Sequence, residues 1–380
     1  MTTLAAIVFW LAAAAIIWTH LGYPLGLWLL VRVRGMRTNR KPAMPLAPEL
    51  PRVSLIIPAY DEEEVIGEKV ANALALDYPR ELLQVIVASD GSSDATAERA
   101  RAAGAGLVLE LPPGGKVAAL NAAAEQAAGD VLAFSDANSV WARDALRRLV
   151  APFADPGVGY VCGQVRFLDP DGDNLEGAYW RYEMAVREME SELAGVTAGN
   201  GGIYAVRRDA YIPLAASGSH DLSFPFLLAK RRLRSLYASG ARAEEKMVPS
   251  LEGEFARKRR MMLGLWDIVV GEGMISPRGY PSLFWFEIVS HRLLRYLSPF
   301  LHVLVFLANL VLLGSGWFYW LTLLIQLAVL VAALLAPQVD SAPLRFARYY
   351  VLTTASIAAG LWDRFRRGAG GRWEKAEGTR

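Results

Sequence analysis

The sequence predicts an α/β domain on a mostly parallel sheet, carried between helices that cross or lie on a membrane. Three observations predict it. Strand and helix character alternate from Val53 to about Ser250, the pattern of a sheet wound with crossover helices. The strand segments are continuous apolar runs, as in LQVIVAS and DVLAFS, so both sheet faces are covered. Long charge-free apolar segments stand before and after this region.

Taken in order, Leu4 to Val31 is apolar around a lone His20 and long enough to span a bilayer. A cleaved signal peptide fits less well than an uncleaved anchor. There is no positive n-region, the apolar run is too long, and Arg32, Arg34, Arg37, Arg40 and Lys41 follow at once. The positive-inside rule then places the N-terminus outside and the residues after Arg32 in the cytoplasm of a multi-pass cell-membrane protein. Pro42, Pro45, Pro48 and Pro51 make a stiff linker. VSLIIPAY predicts a strand, EEEVIGEKVANALAL a helix, LLQVIVASD a strand, and SDATAERARAAG a helix with a Ser/Asp cap. LVLEL, KVAALNAAAEQAAG and DVLAFSD continue as strand, helix and strand.

Beyond this domain, Phe284 to Tyr296 mixes aromatic residues with Glu287, His291, Arg292 and Arg295, and predicts an interfacial amphipathic helix. Pro299 to Leu313 and Trp317 to Ala336 predict a membrane hairpin about the turn Gly314-Ser315-Gly316. Tyr349 to Trp362 is short for a crossing and has arginines on both flanks, which favours a place on the membrane surface. The expected organisation is an anchor over 1–34, a linker over 35–52 and a catalytic domain over 53–250. Interfacial helices over 251–297, membrane helices over 298–363 and a cytoplasmic tail over 364–380 follow.

Composition narrows the function classes. With 53% hydrophobic residues among 380, the chain is greasier than most soluble proteins, so membrane lipid is an expected partner. A net charge of +2 argues against a nucleic-acid partner. Cys162 is the single cysteine, which excludes a disulfide framework, and four scattered histidines form no zinc motif.

The chemistry lies at the strand ends. Ligands of open parallel sheets bind past the carboxyl ends of the strands. Asp61 follows the first strand, Asp90 ends the second, and Asp136 ends a later one. Glu62, Glu63 and Glu64 are accounted for by a helix N-terminus, which attracts negative charge. Asp90 opens SDGSSD and either forms a simple turn or meets the ribose or base of a nucleotide. Lys116 follows two glycines at a helix start, a suitable place to meet an anion. Asp136 and Asn138, in FSDANS, pair a carboxylate with a second oxygen ligand, which suits Mg²⁺ or Mn²⁺.

These segments also carry a resemblance. IIPAYDEEEVI, VASDGSSDAT, GKVAALNAA, FSDANS, GNGGIYAVRR and SHDLSFPFLL occur in order, over about Val53 to Met261. Together they resemble glycosyltransferase family 2, the inverting nucleotide-sugar transferases of GT-A fold. The membrane segments resemble its hyaluronan and cellulose synthase-like branch. The resemblance implies that Asp61 and Asp90 bind the nucleoside of a nucleotide sugar, most simply a UDP-sugar, that Lys116 approaches the nucleotide, and that Asp136 ligates the metal. It also implies that Gly199, Asn200 and Gly201 begin an acceptor-side loop, that Asp221 is the catalytic base, and that Trp373 in the tail approaches the site. On residues alone Asp221 reads as a helix cap.

Asn138 stands where many members carry a second Asp. EGEFARKRRMMLGLW lacks the Gln and Trp of the processive members' Gln-x-x-Arg-Trp box, but Arg257 and Arg260 could hold a diphosphate. The acceptor expected is therefore a growing polysaccharide or a lipid-linked sugar. An oligomer or a partner exporter is left open. The competing classes are a nucleotidyltransferase, against which the acidic PAYDEEE loop argues, and a nucleotide-sensing membrane protein without catalysis.

Overall fold

The computed structural model describes residues 2–37, 49–168, 175–246, 251–339 and 341–368. Helices α1 (Thr2–Ile17) and α2 (Tyr23–Arg37) form one rod interrupted by a π turn at Trp18–Gly22. The next elements are β1 (Val53–Ala59), α3 (Ile66–Leu74), β2 (Leu83–Asp90), α4 (Thr96–Ala102), β3 (Leu107–Leu111), α5 (Lys116–Gln126) and β4 (Val131–Phe134). The domain then continues through β5 (Val140–Trp141), α6 (Ala145–Val150), β6 (Val158–Leu168), α7 (Leu175–Leu193), β7 (Tyr204–Arg207), α8 (His220–Lys230) and β8 (Arg234–Lys246). Last come α9 (Leu251–Met261), α10 (Ser282–Glu287), α11 (Leu294–Leu312), α12 (Trp317–Leu335) and α13 (Ala342–Arg367).

The sheet order is β3-β2-β1-β4-β7-β6-β8-β5. β1, β2, β3 and β4 are parallel, whereas β7 runs antiparallel to both β4 and β6. Every residue of β1 is buried, which explains its unbroken apolar run: Leu55 and Ile57 face the cluster under α3, and Ile56 faces the cluster under α5. On α3, Ile66, Val70 and Ala73 fall at helical spacing and are fully buried. On α5, Ala119, Leu120 and Ala123 keep the buried face thin and let the helix lie close to the sheet.

Three helical stretches are long and apolar enough to cross a membrane: Thr2–Gly35, Ser282–Ser315 and Trp317–Leu335. Leu11, Trp317, Leu324 and Leu334 all expose more than 60% of their surface, a cost in water that hydrocarbon removes. The segment Phe284–Tyr296, expected to lie separately at the interface, runs through a π segment into α11 as one helix. Its Glu287, His291 and Arg292 are buried inside the protein. α13, though 26 residues long, is not among the helices apolar enough to cross. It lies against α9, where Gly360 leaves no room for a Cβ beside Met262 and the Arg259 carbonyl, and Asp363 takes both arms of Arg259 at 2.5 and 2.7 Å.

α7 joins the two parts. Tyr182 donates to the His20 carbonyl in the π turn at 3.0 Å, and Arg34 donates to the Leu193 carbonyl at the end of α7. A cation at a helix C-terminus is favourable.

Candidate active site

Parallel pairing aligns Ala59 of β1 with Ser89 of β2 and Ile56 of β1 with Phe134 of β4. Asp61, Asp90 and Asp136 therefore emerge along one edge of the sheet. Asp61 sits at φ +48°, a left-handed conformation that Asp tolerates through local hydrogen bonds. Its Oδ1 accepts from the Ser93 backbone N–H at 2.7 Å and from the Ser93 hydroxyl at 3.2 Å, which ties the loop after β1 to the loop after β2.

Asp90 is tied to the loop before α5. Both carboxylate oxygens are engaged by the chain itself, accepting from the N–H groups of Gly114 and Gly115 at 2.7 and 2.8 Å. Gly115 lies at φ +88°, where a side chain is disfavoured, and directly precedes Lys116 at the start of α5. In this structure Asp90 thus sets the position of Lys116. One of the three glutamates, Glu63, serves a helix other than its own. Glu63 reaches across to the next helix: its Oε2 accepts from the Ala95 N–H at 3.3 Å, at the head of α4.

Lys116 donates to Asp136 Oδ1 at 2.5 Å. Burial works to lower the Lys116 pKa, but the Asp136 charge outweighs it, and Asp221 and Glu245 add to the upward shift. The lysine therefore pairs with Asp136 and lies within electrostatic reach of Asp221 and Glu245. Asp136 begins a tight turn closed by the Ser139 N–H on the Asp136 carbonyl at 3.2 Å, with Asn138 inside it. The turn is held from behind by Lys69 of α3, whose Nζ donates to the Ser139 carbonyl at 2.6 Å. Burial brings the Lys69 ammonium down to about 7, against the pull of Asp136 and Glu245.

Glu245, near the end of β8, accepts from the Ser139 hydroxyl. Burial first, and then the Asp136 charge, push its pKa upward. Sequence reading missed both Lys69 and Glu245. Lys69 carried a signal, since it falls at the apolar spacing of Ile66, Val70 and Ala73. Glu245 carried none, lying in the polar run ARAEEK.

The loop from Gly199, expected on the acceptor side, is shaped by backbone contacts. The Gly199 N–H donates to the Asp221 carbonyl at 2.7 Å, and Arg187 of α7 donates to the Gly199 carbonyl at 2.9 Å. The Asn200 amide is turned inward, donating to the Gly163 carbonyl at 2.6 Å and accepting from Ile203 N–H. Its part is to hold the loop. A Cβ on Gly201 would stand 3.5 Å from Asp136 Oδ2 and 3.7 Å from Lys116 Nζ, so the loop passes directly over that pair. Asp221 lies in the first turn of α8, where the Ser219 hydroxyl donates to its Oδ1. The neighbouring His220 is buried among Phe134, Tyr204 and Phe224. Burial, then Lys116, lowers it to about 3, so it is neutral.

On α9, Arg257 is close enough to act electrostatically on Glu245, and Arg260 is half-buried on the same helix. Trp373 lies outside the described residues.

Substitution of Gly199 by Ala would drive a methyl group into the Tyr160 hydroxyl, which is fully buried and cannot retreat. We expect a loss of about 1–3 kcal/mol from overpacking, together with reduced activity because Gly199 holds the Asp221 backbone. Thermal unfolding of the variant in detergent measures the first. An unshifted transition would show that the loop is loosely packed.

Residues 54–213 match the family model described as Glycosyl transferase family 2. The chain is 36% identical over 135 residues to the glycosyltransferase AglE of Haloferax volcanii, covering 34% of this chain and 44% of that protein. It is 32% identical over 133 residues to the poly-beta-1,6-N-acetyl-D-glucosamine synthase of Staphylococcus aureus, covering 34% of this chain and 32% of that one. The chain thus spans less than half the length of these curated relatives. The mannosyltransferase PcManGT from Pyrobaculum calidifontis, solved with GDP-Man and Mn²⁺, superposes with a TM-score of 0.70 at 24% identity, covering 94% of this chain and 99% of that chain. The shared architecture is the GT-A fold with its accompanying helices. Residues 54–213 of this chain are a glycosyltransferase family 2 domain, set between membrane-length helices.

Proposed function

We propose that this protein is a membrane-bound inverting glycosyltransferase that moves a sugar from a nucleotide sugar to a polysaccharide or lipid-linked acceptor. The observation that carries the reading is the convergence of Asp136, Asp221 and Lys116 beneath the Gly199–Gly202 loop, at the carboxyl edge of a parallel sheet. Asp61 and the loop that Asp90 positions lie where the nucleoside would bind. Lys116 would meet the diphosphate, and Arg257, which acts electrostatically on Glu245, and Arg260 on the same helix would add positive charge.

Asp221 is the proposed base. Ser219 fixes one of its oxygens, which orients the carboxylate, and the proton of the acceptor hydroxyl passes to it as that oxygen attacks the anomeric carbon. The bond to the diphosphate breaks on the opposite face, so the configuration inverts. The residues present fit a hard divalent cation such as Mg²⁺ or Mn²⁺: Asp136 offers a carboxylate, and Gly201 puts no side chain of its own against its Oδ2. Among the described residues no cluster of three or more acidic, histidine or cysteine side chains forms a self-sufficient cage, which matches a cation shared with substrate phosphates. The chemistry such a cation supplies is neutralisation of the leaving diphosphate.

The basic residues Arg32 and Arg34, beside the catalytic domain at the end of the first span, support a cytoplasmic active site. The absence of the Gln and Trp of the processive box supports transfer of one sugar over polymerisation. The test is to offer purified protein in detergent a panel of UDP- and GDP-sugars and follow nucleoside diphosphate release and product length. Asp136→Asn should abolish release in every case while the protein remains folded. Normal turnover by that variant would sink the assignment.

A further inference from the structure

We infer that Glu245 is the second carboxylate of the cation site that Asp136 opens, taking the charge that Asn138 cannot supply. The inference rests on the proposed reading of Asp136. Its basis is strand pairing. β5 and β8 are antiparallel, with Trp141 opposite Ala243 and Val140 opposite Glu244. One further step in that register sets Ser139 opposite Glu245, and the Ser139 hydroxyl does donate to the Glu245 carboxylate. Because Asp136 and Ser139 close one tight turn, β8 carries Glu245 to the same turn from 106 residues away.

The glycines support a site and not only a contact. A Cβ on Gly202 would overlap the Glu245 carboxylate and approach the Ser139 hydroxyl to 2.8 Å, while one on Gly201 would meet Asp136 Oδ2 and Lys116 Nζ. Two successive residues without side chains therefore flank two carboxylates, and at Gly202 the backbone admits nothing larger. Mg²⁺ and Mn²⁺ bind through carboxylate oxygens, and affinity rises with the number of charged ligands. Asp136 alone provides one charge, and an amide at position 138 adds none. With Glu245 the protein offers two, and the diphosphate completes the set. Of the two nearby ammonium groups, Lys69 is engaged by the Ser139 carbonyl, and Lys116 holds Asp136 Oδ1 and leaves Oδ2 to the cation.

The bland alternative is that Glu245 only steadies Ser139. The two readings separate in Glu245→Gln, which keeps an oxygen to accept from Ser139 but loses the charge. Mn²⁺ binding to the full-length protein in detergent, with Mn²⁺ alone and with Mn²⁺ plus UDP or GDP, can be followed by the loss of the free-ion EPR signal. Glu245→Gln should weaken Mn²⁺ binding by about tenfold or more. Adding Asn138→Asp to it should restore most of the loss. Ser139→Ala, which removes the hydrogen bond but leaves both carboxylates, should bind almost as tightly as wild type.

Unchanged Mn²⁺ binding in Glu245→Gln, with binding lost in Asp136→Asn, overturns this inference and leaves the proposed function standing. A loss in Ser139→Ala as large as in Glu245→Gln also overturns it, since Glu245 would then act only through the turn. Unchanged binding in Asp136→Asn overturns the metal reading on which both depend. Should Glu245→Gln fail to fold, Glu245→Asp serves: its retracted carboxylate should weaken Mn²⁺ binding, and wild-type affinity there rejects the inference.

Discussion

Replacing Asp221 by asparagine is expected to lower kcat by about 10²–10⁴-fold, the usual contribution of a positioned general base, with little change in KM for the nucleotide sugar. The amide keeps the size of the side chain and can still face Ser219, so the first turn of α8 should survive. The Asp221 carbonyl, which receives the Gly199 N–H, belongs to the backbone and is untouched by the substitution. A variant that folds, binds donor and fails to transfer is therefore the expected result. Steady-state kinetics with separate donor and acceptor titrations provide the check. If kcat falls less than tenfold, Asp221 is only the helix-start residue that its local sequence suggests.

The largest effect on stability is expected from Glu190→Ala. Glu190 on α7 is completely buried and gathers Tyr23 at 2.7 Å, His291 at 2.6 Å and the Thr197 backbone N–H at 3.1 Å. Arg292 adds a bond to the Thr197 hydroxyl at 2.8 Å. Burial opposes the Glu190 charge, yet His291 and Arg292 outweigh it and hold the carboxyl below its ordinary range. Removing one member of such a network leaves the others buried without their partner, which costs about 3–5 kcal/mol.

The consequence reaches function because of what the network joins. Tyr23 belongs to the first membrane-length helix, His291 and Arg292 to the second, and Thr197 lies two residues before Gly199. Glu190→Ala should therefore lower the unfolding temperature and reduce transfer together. An unchanged transition would mean that the membrane-length helices and the loop at Gly199 are held by apolar packing alone, through contacts such as Tyr23 and Leu27 against Val186.

Much of this molecule was legible from sequence because the relevant physics is local. A strand covered on both faces must be apolar along its length, so β1, β2 and β4 could be read directly, and the acids beyond their ends followed. The GG-Lys start of α5 showed itself in the same way, through a backbone turn that only glycine adopts readily. The membrane-length segments were equally plain, since hydrocarbon demands some twenty apolar residues in succession.

Other features depended on which distant segments meet. Asp90 stands at a strand end as expected, yet its oxygens are taken up by Gly114 and Gly115, a pairing decided by how the β3–α5 loop folds back. The polar residues of Phe284–Tyr296 looked suited to a membrane surface. Instead His291 and Arg295 meet Glu190 and Glu183 of α7, and Arg292 meets Thr197 just beyond it, across 95 to 112 residues of chain. Glu245 is the clearest case. Nothing in ARAEEK distinguishes it, and only the antiparallel union of β5 with β8 brings it to the Asp136 turn. The sequence by itself determined where single carboxylates would be presented, because strand ends follow from local hydropathy. Tertiary structure alone decided which carboxylates stand together, because strand register is set by packing across the whole sheet.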